Sequence, residues 1–257
     1  MPTFVGTSGW QYRHWKDRYY PPDLAQAHWL ERYAADFATV ELNSSFYNLP
    51  RRATFEAWAD RTPPDFVFAV KASRYLTHVR RLKDPREPVE RLVDAARGLG
   101  SRLGPILLQL PPSLERDDAA LDETLDAFPG DVRVAVEPRH ASWFADEVRD
   151  LLRRHSAALC LADRRGPVTP EWRTTDWAYL RLHEGAARPR PCYAEDAIGT
   201  WVERLARAWP ASADRFVYFN NDQGGCAVRD AAIAARLFAH AALEPTRTPR
   251  AADIRVG

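Results

Sequence analysis

The sequence predicts a single (β/α)8 TIM barrel, and three observations carry the prediction. About eight short, nearly continuous apolar runs are spread along 257 residues, as strands buried on both faces of a parallel sheet would be. Segments of helical spacing separate nearly all of them, in the alternating order that builds such a barrel. The length also suits one barrel of about 250 residues, and no linker or shift in composition divides the chain.

The strand candidates are residues 4–6, 39–42, 66–72, 105–110, 132–137, 158–163, 177–183 and 216–221. Between them, Trp29, Leu30, Tyr33 and Phe37 share one helical face after Pro21 and Pro22. Val89, Leu92, Val93 and Ala96 do so after Pro88, which suits a first turn. Leu121, Leu125 and Phe128 follow Asp117 and Asp118, acidic residues that favour a helix N-terminus. Val148, Leu151 and Leu152 form a further stripe, as do Ile198, Trp201, Val202 and Leu205, and residues 227–242 read as an alanine-rich last helix. Residues 164–176, with Pro167 and Pro170, read instead as an irregular connection replacing the helix after strand six. The barrel is expected over residues 1–243, with 244–257 a polar, loosely held tail. A doubly wound sheet would offer a dinucleotide turn after its first strand, but Gly6-Thr7-Ser8-Gly9-Trp10 lacks that glycine spacing.

Composition bounds the partners. With 46% hydrophobic and 28% charged residues the chain is ordinary globular material. A net charge of +1 provides no global field for nucleic acid or anionic membrane. No apolar run approaches the roughly 18 residues of a membrane span, and residues 1–6 lead straight into a strand without a signal-peptide pattern. Cys160, Cys192 and Cys226 are odd in number and widely spaced, which points away from a disulfide framework or zinc knuckle and toward a reducing cytoplasm. Cys226 opens the last helix, where packing is the plainest role. Only Lys16, Lys71 and Lys83 are lysines among 36 basic residues, so a lysine in a special place is informative.

Chemistry in such a barrel belongs at the C-terminal ends of the strands. There the sequence sets Glu41 and Asn43, then Lys71, Gln109, Glu137 and Arg139, Asp163, Arg181 and His183, and finally Asn220, Asn221 and Asp222. Glu41 with Asn43, Glu137 with Arg139, and Arg181 with His183 are each two apart and so share a face. Glu41, Lys71, Glu137 and His183 are the candidate catalytic residues. Trp10, Asn43, His78, Gln109, Arg139, Asp163, Arg181, Asn220 and Asn221 are the candidate substrate contacts. A closed ion-pair network is the structural counter-reading of the same ring. Trp10, Trp15 and Trp143 are the mouth-side aromatics offered for stacking.

The motifs resemble one family throughout. Gly6-Thr7-Ser8-Gly9-Trp10 with Tyr12 and Trp15, and Val40-Glu41-Leu42-Asn43-Ser44-Ser45-Phe46-Tyr47, are similar to the opening of the YecE-like family. Phe68 to Ser73 with Thr77-His78, Leu108-Gln109-Leu110-Pro111-Pro112, Val136-Glu137-Pro138-Arg139-His140, Tyr179 to His183 and Tyr218 to Asp222 continue the resemblance in order. It implies a TIM barrel, a bacterial setting and no established reaction. The family usually has glycine after the seventh-strand histidine; here Glu184 precedes Gly185.

The ring is compatible with general acid/base chemistry, hydrolytic, isomerising or lyase, on a small anionic or polyhydroxylated substrate held by arginine forks. A Schiff base at Lys71 is one lyase variant. A metal-dependent barrel using Glu41, Glu137, Asp163 and His183, or a non-enzymatic binder of a nucleotide or single strand, are the alternatives. No cofactor or metal is assigned, and oligomeric state is left open.

Overall fold

The computed structural model describes residues 2–184, 186–188, 191–251 and 254–256. Eight parallel strands close into a barrel in sequence order. They are β1 (Thr3–Thr7), β2 (Thr39–Leu42), β3 (Val67–Lys71), β4 (Leu103–Gln109), β5 (Val134–Glu137), β6 (Ala158–Asp163), β7 (Ala178–Leu182) and β8 (Arg215–Phe219). The ring closes through five paired positions between β1 and β8, from Thr3 with Arg215 to Thr7 with Phe219.

The outer helices are α1 (Trp29–Asp36), a one-turn α2 (Ser44–Tyr47), α3 (Arg52–Asp60), α4 (Arg86–Ala96), α5 (Asp118–Asp126), α6 (Asp146–Arg154), α7 (Glu195–Ala208) and α8 (Cys226–His240). No helix stands between β6 and β7, as the proline-bearing 164–176 segment implies. Helix α3 is the element that periodicity misses: it buries only Phe55 and Ala59, too few apolar positions to make a stripe. Asp117 caps α5, its carboxylate accepting from the Ala120 N–H at 3.0 Å. No helix is long and apolar enough to cross a membrane among the described residues.

Two cores result. One lies between barrel and helices. The other fills the barrel interior with small Ala69, Ala135, Ala158 and Cys160 beside large Phe4, Tyr179, Phe216 and Tyr218. Gly6 lets β1 approach β2 closely, since a Cβ there would stand 2.2 Å from the Thr39 carbonyl oxygen.

One expectation needs correcting and another gains detail. Among its described residues the tail is tied to the barrel: the Thr3 N–H donates to the Glu244 carbonyl, the Thr246 N–H donates back to Thr3, and Arg247 forks onto Asp65 at 2.8 and 2.9 Å. Ile254 is buried as well. Cys192 and Cys226, expected as separate thiols, form a disulfide. They are 34 residues apart in sequence, but one ends the connection after β7 and the other starts α8. In a barrel closed in sequence order those two segments are neighbours. Cys160 is the free, buried one.

Candidate functional site

Strand parity brings the predicted charges together at the C-terminal mouth. Arg181, wholly buried on β7, crosses the barrel. Its Nε and Nη2 donate to Glu41 Oε1 at 3.1 and 2.8 Å, and its Nη1 donates to Glu137 Oε2 at 2.5 Å. Glu41 is completed by the Tyr179 hydroxyl, which donates to Oε2 at 2.7 Å, and by the Ser8 hydroxyl, which donates to Oε1 at 2.6 Å. Glu137 Oε1 accepts from Arg139 Nε at 3.0 Å. Burial alone would raise the Glu137 carboxyl, but Arg181 and then Arg139 outweigh it and hold the group ionised well below the usual carboxylate range. These groups form a satisfied layer, which is how charges this deep persist.

Above that layer pairing is incomplete. Lys71 ends β3, is only 9% exposed, and no ion pair reaches it among the described residues; its ammonium lies over the Phe46 ring, 4.1 Å from the centroid. Burial, then the Arg181 charge, pulls its pKa down from the ordinary lysine value to about 8. His183 follows β7, and its Nε2 is buried without a hydrogen-bond partner, 3.7 Å from Glu137 Oε1. Burial first and Arg181 next push its pKa well below the usual histidine value, so the ring is neutral. The Asn43 Oδ1 is likewise buried and unpartnered. Asn43 donates to the Ser8 carbonyl and to Asn220 Oδ1, and Asn220 meets His183 Nδ1 at 2.8 Å. Lys71, Arg139 and Arg181 against Glu41 and Glu137 leave the innermost mouth with excess positive charge.

Other predicted residues stand nearby with different partners. Gln109 ends β4 opposite Glu137 and is buried. His78 packs edge-on against Phe46 at 4.9 Å and bonds the Thr77 hydroxyl. Burial, then Lys71, lowers it to about 4. Asp163 accepts from the Ala186 N–H and the Tyr193 hydroxyl, and Asn221 donates to the Pro191 carbonyl and to Asp230. Both therefore bind loop to barrel at the corner where the disulfide lies. Trp10 is buried edge-on against Trp58, Trp15 packs among Tyr19, Tyr20 and Tyr33, and Trp143 donates to the Leu114 carbonyl. The exposed mouth-side aromatics are instead Tyr47 and Tyr75. Glu184 has φ of 70°, the left-handed region that favours glycine; Gly185 lies outside the described residues.

Sequence reasoning placed Ser8 at the end of the first strand without giving it a role, and missed Tyr179 and Phe46. Tyr179 stands two residues before Arg181 and shares its inward parity, so that signal was available. The Phe46 contact depends on how α2 folds back over β3, which no spacing encodes. Among the described residues, no three His, Cys, Asp or Glu side chains are grouped so as to hold a metal ion. A cavity of about 720 Å³ opens at the opposite end of the barrel, against Phe4, Val67, Leu103 and Phe216. It is remote from the strand-end ring.

The family model for DUF72, a protein family of unknown function, matches residues 4–253, and the chain belongs to that family. It is 26% identical to the UPF0759 protein YunF of Bacillus subtilis over 255 residues, covering 86% of this chain and 89% of that protein. It is 34% identical to the UPF0759 protein YecE of Escherichia coli K12 over 117 residues, 45% of this chain and 43% of that one. The crystal structure of the DUF72 protein TM1631 from Thermotoga maritima superposes with a TM-score of 0.81 at 31% identity, over 93% of this chain and all of that one.

Proposed function

We propose that this DUF72 barrel is an enzyme that binds a small anionic or polyhydroxylated substrate at its C-terminal mouth and turns it over by general acid/base chemistry. One observation carries the reading: Lys71 is buried at the strand ends without an ionic partner, while both nearby carboxylates are already neutralised by Arg181 and Arg139. A buried cation left unpaired is costly unless a ligand completes it. The excess positive charge selects an anion, and the free guanidinium nitrogens of Arg139 can fork onto a carboxylate or phosphate. A pKa near 8 lets the amine accept or return a proton close to neutrality, or act as a nucleophile toward a carbonyl. Glu41 and Glu137, each holding a guanidinium, orient the floor rather than exchange protons.

The metal-dependent alternative is less well supported, because those carboxylates are committed to Arg181 and do not converge with Asp163, which anchors a loop. Base stacking on Trp10, Trp15 or Trp143 has no support, since all three are core residues.

Amine labelling with trinitrobenzenesulfonate tests the reading. Lys71 should react with an apparent pKa near 8, ahead of Lys16 and Lys83, and inorganic phosphate or acetate should protect it. Ordinary lysine titration, with no protection by either anion, would overturn the reading. Borohydride trapping with carbonyl compounds separately asks whether a Schiff base forms.

A further inference from the structure

The amide chain behind His183 has a direction that follows from a single backbone carbonyl. The Ser8 carbonyl oxygen can only accept, so the Asn43 atom facing it at 3.2 Å is the amide nitrogen. That same nitrogen faces Asn220 at 3.4 Å, so Asn220 must turn its oxygen toward Asn43. The Asn220 amide nitrogen is then directed at His183, 2.8 Å from Nδ1. An N–H facing a ring nitrogen needs a lone pair there, which leaves the imidazole proton on Nε2. Nε2 is the buried atom with no partner, 3.7 Å from Glu137 Oε1.

We propose that Asn43 and Asn220 are positioning residues that hold His183 as the neutral Nε2–H tautomer, a preset donor to an oxygen atom of the substrate. The proposal rests on the mouth being the ligand site, and it narrows the substrate to an anion that also presents a carbonyl, carboxyl or phosphoryl oxygen to the imidazole. A neutral donor suits this place because burial first, then Arg181, Arg139 and Lys71, disfavour imidazolium against the opposing pull of Glu137. The Tyr12 hydroxyl, which also donates to the Ser8 carbonyl, fixes the start of the chain. Were the tautomer reversed, Nδ1–H would face an amide N–H, and Nε2 would offer a lone pair to an anion.

Long-range 1H–15N correlation spectra of 15N-histidine-labelled protein at pH 7 decide the question. The wild type should show His183 protonated at Nε2 and bare at Nδ1; the opposite pattern, or an imidazolium, overturns the proposal. Asn220→Asp places an acceptor opposite Nδ1 and should move the proton there or give the doubly protonated ring, whereas an unchanged pattern in a folded variant overturns the lock. If that variant does not fold, the wild-type spectrum still decides. Phosphate or acetate added to the wild type should shift the Nε2–H signal. Protection of Lys71 from labelling with no change at His183 would sink the donor role and leave the proposed function standing. The expected tautomer with no anion effect at either residue would instead sink the function.

Discussion

The two ends of the barrel use similar side chains in opposite ways. At the N-terminal end Arg97 meets Asp131 at 3.2 Å with both side chains exposed, and the exposed Arg133 meets the more buried Asp214 at 2.7 Å. Each cation has a carboxylate of its own, and such pairs contribute little because solvent already stabilises both charges. At the C-terminal mouth Arg181, Glu41 and Glu137 are paired where water is absent, and Lys71 just above them has no carboxylate partner. A surface network can be lost almost without consequence. A buried layer with one charge left over makes sense only if something else completes it.

The largest break in this comparison is Arg181→Met. It strands two buried carboxylates and should cost about 3–5 kcal/mol in urea unfolding at pH 7. A loss below 1 kcal/mol would mean water reaches the layer. Part of that cost should disappear in acid. The Glu137 pKa is depressed in the folded protein, so its contribution is present above the unfolded carboxyl pKa and lost as pH falls through the folded one.

Lys71→Met should act in the other direction, raising stability near pH 7 by about 1–3 kcal/mol while abolishing the shift of the His183 Nε2–H signal by phosphate or acetate. The sign follows from the lowered amine pKa: between about 8 and the ordinary lysine value the unfolded chain binds more protons, so wild-type stability climbs with pH there. The advantage of the variant should therefore shrink as pH rises from about 8 toward the ordinary lysine value and level off beyond it. An equal advantage at all pH values would show that Lys71 is not desolvated.

Smaller still is Glu184→Gly, which relieves a left-handed backbone and should add about 0.5–1 kcal/mol. Smallest is Arg97→Ala, expected to change stability by about 0.2–1 kcal/mol and to lose even that in high salt. If it matched Arg181→Met, the contrast between the two ends would fail.

Much of the fold was readable in advance because a parallel barrel repeats one local rule. Runs 39–42 and 158–163 coincide with β2 and β6. The 164–176 stretch lacks a helix where its prolines forbid one. Parity likewise put Glu41 with Asn43, Glu137 with Arg139 and Arg181 with His183 on shared faces, and closure of the barrel turned Glu41, Glu137 and Arg181 inward. Helix α3 escaped because two buried residues make no periodic signal. The three tryptophans were misplaced because a loop position says nothing about which way a ring turns.

Sequence alone therefore determined the barrel, its strand-end ring and the distinctiveness of one lysine, since periodicity and residue type are local properties. Tertiary structure alone decided who pairs with whom. Glu41 and Arg181 are 140 residues apart, and only closure of the sheet brings them within a hydrogen bond. The same closure joins Cys192 to Cys226, sets Lys71 over the Phe46 ring, leaves the His183 Nε2 unsatisfied, and orders the amides from Ser8 to His183. Burial and pairing are properties of the closed ring, because a charge is costly or neutral according to what surrounds it, not according to its place in the chain.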